Sequence, residues 1–114
     1  MKRIMLSAFA GAAVICTAVS MAQANEILSA SQIKSFVPGR AKAQISGDTV
    51  TISLSRRGTL SGKWAGERDH GSWHVSGDRL CIKFDNWLGG ATRCSAVARS
   101  GNAYRVSGVT FVKY

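Results

Sequence analysis

Asp69-His70 and His74, with Glu67, Asp78 and Asp85 nearby, are the residues that first invite a chemical reading. On an extended strand His70 and His74 face the same side but stand about 13 Å apart at ~3.3 Å per residue. Without a bulge at Gly71 they are too far apart to share one metal ion. The expectation is no metal and no cofactor. Ser72 beside Asp69-His70 supplies the residue types of a nucleophilic triad, but no G-x-S-x-G turn accompanies it to present an activated hydroxyl. Nothing in the spacing brings two carboxylates to the separation of roughly 5–9 Å that glycoside hydrolysis requires. The chain reads as a protein that is not an enzyme.

The cations are more informative. The full chain of 114 residues carries 15 Lys and Arg against 6 Asp and Glu, a net charge of +9. An excess of this size favours polyanionic partners: lipopolysaccharide, acidic polysaccharide, anionic headgroups, nucleic acid or an acidic protein surface. Arg56, Arg57, Lys63, Trp64 and Arg68 lie on or beside one predicted hairpin, where guanidinium groups and an indole would hold phosphates or uronates by charge and sugar rings by stacking. A second candidate is the loop Asp85-Asn86-Trp87-Leu88-Gly89-Gly90, flanked by Lys83 and Arg93. Trp87 there is either a contact residue at the tip or folded back over one end of the domain.

The elements that must position these residues follow a signal for export. Residues 1–24 combine Lys2 and Arg3, an apolar run from Ile4 to about Val19, and Ala22-Gln23-Ala24 as a cleavage motif. Cleavage after Ala24 discards Cys16 and leaves 13 of the 15 Lys and Arg against 6 Asp and Glu, a net +7 on residues 25–114. No later run is long enough to cross a bilayer. The expected location is the periplasm or the exterior of the cell. In that oxidising setting Cys81 and Cys94, with 12 residues between them, read as a disulfide.

Residues 25–38 hold a short helical lead-in, with Ser29 or Ser31 as N-cap, Ile33, Phe36 and Val37 as the apolar face, and Pro38-Gly39 as the stop. From 39 to 114 the apolar period is two. Val50, Ile52 and Leu54 alternate with Thr49, Thr51 and Ser53, and Leu80, Ile82 and Phe84 alternate with Cys81 and Lys83. Further strands are expected at 59–65, 72–76, 92–99 and 104–114, the last bent at Gly108. Ser46-Gly47-Asp48, Ser76-Gly77-Asp78 and Ser100-Gly101-Asn102 mark hairpins, and Arg57-Gly58 is a fourth turn. The pattern predicts one all-β domain, a small antiparallel barrel or sandwich of about seven strands preceded by a short N-terminal helix.

Gly71-Ser72-Trp73-His74-Val75, then Gly77-Asp78-Arg79-Leu80-Cys81-Ile82-Lys83-Phe84, then Arg93-Cys94 and a closing aromatic-rich strand form the pattern G-x-W-x-V…G-D-x-L-C…C over about 58–104. In this the chain resembles small exported, disulfide-containing all-β proteins of proteobacteria, mostly of unassigned function. The resemblance implies a signal peptide, a compact β domain and a disulfide, and it transfers no catalytic residue. Arg57 stands before Gly58-Thr59 where an acidic turn residue is usual, and Phe84 where Trp is common. A weaker similarity, to periplasmic inhibitors of lysozyme, lacks their inhibitory loop, and +7 would repel a basic lysozyme.

Two functions are expected from these residues. One is an exported binding module that engages an anionic ligand of the bacterial envelope or a host polymer through Arg56, Arg57, Lys63, Arg68, Lys83 and Arg93, with Trp64 and Trp87 as contact aromatics. The other is a protein–protein factor, such as an inhibitor, immunity or virulence-associated protein, that presents the disulfide-held loop 82–93 with Trp87 as anchor. Nucleic acid is the less favoured polyanion.

Overall fold

The computed structural model describes residues 25–114. The export signal and Cys16 lie outside the described residues. Ten strands follow one another around a single helix: β1 (Glu26–Ile27), α1 (Ala30–Phe36), β2 (Gly39–Ile45), β3 (Asp48–Leu54), β4 (Thr59–Trp64), β5 (Glu67–Ser76), β6 (Arg79–Phe84), β7 (Thr92–Ser95), β8 (Val97–Ser100), β9 (Ala103–Val106) and β10 (Val109–Lys113). All pairings are antiparallel, in one sheet of order β1-β8-β9-β10-β2-β3-β4-β5-β6-β7.

The sheet is a half-barrel, not a sandwich, and it has more strands than the seven expected. Four local differences account for the count. The short β1 (Glu26–Ile27) opens the stretch expected as a helical lead-in and pairs with β8. β2 is a full strand from Gly39, immediately after the helix stop. The stretch expected as one strand over 92–99 divides at Ala96: β7 pairs with β6, whereas β8 pairs with β9 and β1 near the opposite edge. With one residue between them, the two strands draw the ends of the sheet toward each other. The bend expected at Gly108 is a tight hairpin, with Ser107 and Gly108 both at positive φ between the paired Val106 and Val109. Two consecutive positive φ values are the mark of a type I′ turn, whose twist suits paired strands.

α1 begins in a capping box. The Ser29 hydroxyl accepts from the Gln32 amide at 3.4 Å, and the Gln32 side-chain oxygen accepts from the Ser29 amide at 2.8 Å. Asp78, in the β5–β6 turn, accepts from the Ala30 amide at 2.9 Å and fixes the helix start to the sheet. Pro38 ends the helix after Val37, which still has helical φ/ψ, because proline has no N–H to continue the hydrogen-bond ladder and its ring crowds the preceding turn. At the other end Lys113 Nζ donates to the carbonyls of Phe36 and Pro38. The helix is therefore tied at both ends and contributes Ile33 to the core.

That core lies on the inner face of the curved sheet, where Leu28, Ile33, Val37, Ala41, Leu54, Leu60, Trp73, Leu80, Phe84, Val97 and Tyr104 pack together. Gly71 opposes Phe84, and a Cβ at Gly71 would lie 1.8 Å from the Lys83 carbonyl oxygen, so β5 and β6 approach as closely as they do only because that position has no side chain. The ladder runs through Gly71 in regular register on both sides, without a bulge.

Cys81 and Cys94 form a disulfide between directly paired residues of β6 and β7. It closes the stem of the loop that connects the two strands. Replacing both cysteines with serine should lower stability by about 3 kcal/mol on the loop-entropy estimate. Urea denaturation of the oxidised protein against the double variant checks this, and equal midpoints would show that the paired strands hold the loop without the covalent link.

Candidate functional site

Alternation assigns every strand residue to one of two faces. Starting from buried Ala41, the inner parity runs through Ile52, Gly62 and Asp69 in one direction and through Lys113, Phe111, Tyr104 and Arg99 in the other. The outer parity of the central strands forms two rows. One contains Val112, Lys42, Thr51, Lys63 and Arg68 in successive register across β10, β2, β3, β4 and β5. The other contains Tyr114, whose amide donates to the Arg40 carbonyl, then Arg40, Ser53, Ser61 and His70. At ~4.8 Å per strand the rows span roughly 19 Å.

These rows border a shallow depression whose lining includes Arg40, Thr51, Ser53, Lys63, Arg68 and His70. Arg40, Lys42, Lys63, Arg68 and His70 are exposed, and the intervening hydroxyls are half-buried. The exposed Tyr114 ring lies beneath two cations, 4.9 Å from the Arg40 guanidinium carbon and 5.3 Å from Lys42 Nζ. Lys63 and Arg68 stand directly opposite each other on neighbouring strands, an arrangement of like charges that costs stability.

No carboxylate occupies an outward strand position on this face. Glu26, Asp48, Glu67 and Asp69 fall on the inward parity, and Asp78 and Asp85 lie in the segments beyond the ends of β6. Asp69 comes nearest, since it is part of the lining of the depression, but its carboxylate is taken up by the amides of His70, Asn86 and Trp87. The surface therefore offers cations, hydroxyl donors and one aromatic ring, a chemistry suited to phosphate, sulfate or carboxylate oxygens.

The residues singled out from the sequence do not all meet here. Lys63 and Arg68 belong to the site. Trp64 follows Lys63 and so projects to the opposite face, where it is half-buried against Trp87 with ring centroids 6.3 Å apart and planes at 88°. Arg56 and Arg57 occupy the β3–β4 turn, a strand's length from Lys63, about 17 Å at ~3.3 Å per residue. Lys83 shares the outer face but pairs with Ser72, to one side of the two rows. Arg93 pairs with Ile82 on the edge strand and has the inward parity. Arg40, Lys42, His70 and Tyr114 were not among the expected binding residues. Their signal was present in the alternation of Arg40 and Lys42 with Ala41 and Ala43, but the pairing that sets them beside Lys63 is set by register.

His70 and His74 are both exposed on the outer parity of β5. Among the described residues no three of His, Cys, Asp and Glu gather as metal ligands.

Asp69 has a structural task. It is 4 % exposed, and its carboxylate accepts four hydrogen bonds: from the amides of His70 at 2.9 Å, Asn86 at 2.9 Å and Trp87 at 2.8 Å, and from Asn86 Nδ2 at 3.1 Å. These bonds fold the loop after β6 down onto the sheet. Trp87 then packs on Phe84, at 4.9 Å between centroids, and covers Gly62, where a Cβ would meet its Cζ3 at 2.7 Å. Leu88, at φ 59°, is the large apolar side chain of the loop that remains exposed.

Burial raises the Asp69 pKa, but the hydrogen bonds from Trp87, Asn86 and His70 outweigh it and hold the carboxyl down at about 2. Because the folded value lies below the unfolded one, the stabilisation is complete above the ordinary aspartate range and fades as pH falls from about 4 toward 2. Trp87 fluorescence should report loosening of the loop across that interval. Asp69→Asn should loosen the loop at neutral pH and flatten the acid transition; an unchanged acid profile would assign the transition to other carboxylates.

In comparisons with known proteins, no family model, curated protein or solved structure matches the chain.

Proposed function

We propose that this protein is an exported, non-enzymatic binding module that engages an anionic ligand of the bacterial envelope or a host surface, such as lipopolysaccharide or an acidic polysaccharide. The observation that carries the reading is the outer face of β2 to β5, where Arg40, Lys42, Lys63 and Arg68 surround hydroxyls with no carboxylate on the strand positions among them. Cations placed side by side repel one another, so an anion that bridges them relieves a cost the empty face carries. An extended polymer of repeating negative groups suits rows of cations and hydroxyls better than a single small anion in a deep pocket. The disulfide and the absence of a membrane-spanning helix among the described residues are compatible with an exported setting.

The contact aromatic in this reading is Tyr114, since Trp64 and Trp87 pack against each other on the other face. A module presenting loop 82–93 to a protein partner is the second reading. It would rest on exposed Leu88 with Lys83 and Arg93 at the stem.

Binding of the oxidised protein to lipopolysaccharide, anionic vesicles, acidic polysaccharide, DNA and a neutral glycan, at low and near-physiological salt, tests the proposal. Saturable binding to lipopolysaccharide or the acidic polysaccharide should persist at physiological salt. It should weaken about tenfold in Lys63→Ala/Arg68→Ala, the loss expected from removing charge-assisted contacts. Arg56→Ala/Arg57→Ala should have a smaller effect. Equal losses in the two double variants would reduce the attraction to net charge, and binding abolished only by Leu88→Ala would favour the loop.

A further inference from the structure

Three cations that the outer face leaves out come together at the C-terminal end of α1. Lys113 has the inner parity of β10, and its ammonium donates to the carbonyls of Phe36 and Pro38, the second at 3.1 Å. Its stem passes close to Gly39, where a Cβ would lie 3.7 Å from Lys113 Cε. The Phe36 ring carries two charges, with Lys113 Nζ 4.6 Å and the Arg99 guanidinium carbon 3.9 Å from its centroid. Arg56 enters from the β3–β4 turn, which begins where Leu54 pairs with Gly39.

Carboxylates do not balance this group. Glu26 stands opposite Arg99 in the β1–β8 register, and Asp78, in the β5–β6 turn, is taken up by the Ala30 amide at the other end of the helix. Three positive charges thus meet one negative. The Lys113 ammonium feels the surplus: burial, then Arg99, then Arg56 push its pKa below the ordinary lysine value. Donors also remain. Arg99 spends Nε on the Gly101 carbonyl at 2.9 Å, and its two η nitrogens make no hydrogen bond among the described residues. An ammonium has three N–H groups, and Lys113 uses two of them on the helix.

We propose that Arg99, Lys113 and Arg56 form a site for a single phosphate group, free or as the monoester end of a larger molecule, beside the Phe36 ring. The guanidinium fork of Arg99 matches two phosphate oxygens. Lys113 supplies a third donor, and the exposed Arg56 closes over the group from the turn. A phosphomonoester carries a charge of about −1.5 to −2 near neutral pH, close to the local surplus, whereas a carboxylate would leave part of the repulsion in place. The carbonyl end of α1 does not oppose such a ligand, because the Lys113 ammonium lies against it. The site is separate from the face of the proposed function, since Arg99 and Lys113 have the inner parity and Lys63 and Arg68 the outer.

Side-chain NMR of the oxidised protein tests this, following the arginine Nε–H and lysine Cε signals during titration with inorganic phosphate, methyl phosphate and acetate at constant ionic strength. Both phosphates should shift Arg99 and Lys113 saturably, and acetate should bind about tenfold more weakly. A bound dianion favours the charged ammonium, so phosphate should move the Lys113 titration back up toward the ordinary lysine range. Arg99→Gln should weaken methyl phosphate about tenfold. Arg56→Gln, at an exposed turn position where no packing is lost, should weaken it in the same direction, and Lys63→Ala/Arg68→Ala should leave it unchanged. Phosphatidic acid in phosphatidylcholine vesicles distinguishes the sources: displacement of methyl phosphate by the vesicles supports a lipid headgroup as the ligand, and its retention supports a soluble monoester. A Lys113 titration that phosphate does not move would overturn the proposal. Equal affinity for acetate and phosphate would overturn it too, as would shifts confined to Lys63 and Arg68, which would leave the polyanion-binding face intact as a separate reading.

Discussion

The Asp69 carboxylate, buried and held by four hydrogen bonds, is the interaction on which one end of the half-barrel depends. It lies beside Gly62 in the β4–β5 register and converts a loop that would otherwise stand away from the sheet into a cover. Trp87 is carried onto Gly62 and Phe84, and Trp64 closes against its edge. Isolated burial of a carboxylate is costly, and the loop amides compensate by solvating the charge as water would. The disulfide one strand away acts on the same loop from its stem. Loop, indole pair and inner face are thus organised around one negative charge.

That charge is also on the side of the sheet away from the cations. A strand sends neighbours to opposite faces, and in β2 to β5 this places Asp48, Glu67 and Asp69 inward while Arg40, Lys42, Lys63 and Arg68 point outward. Mixed surface charges would have stabilised the fold at little cost, through pairs worth a few tenths of a kcal/mol each. The strands instead carry Lys63 opposite Arg68. A surface that forgoes local pairing has a physical reason to attract an external anion, and this connects the packing to the proposed binding role.

The sequence made the period of two legible, and with it the strand character of Val50–Ile52–Leu54 and Leu80–Ile82–Phe84, as well as the helix stop at Pro38. The cysteine pair was equally plain. The count of strands was not, because the break at Ala96 is a change of neighbour with no glycine or proline to mark it, and Ser107-Gly108 has the same composition whether it bends a strand or reverses it. The proposed binding face was half legible. Composition identified the cations, but grouping Lys63 with Trp64 by adjacency overlooked that consecutive strand residues face apart, and the alliance of Lys63 with Arg40 and Tyr114 arises across strands far separated in the chain. Asp69 was hidden for a related reason: its partners, Asn86 and Trp87, are 17 and 18 residues away.

Amide-resolved NMR during titration with polygalacturonate at near-physiological salt locates the anion directly on the surface. Perturbations that cluster on Arg40, Lys63, Arg68 and His70, with the Tyr114 ring shifted alongside them, are the expected result. Perturbations centred on Arg56, Arg57 and Arg93, or spread evenly over every exposed cation, would contradict the assignment of the outer face of β2 to β5 as the binding surface.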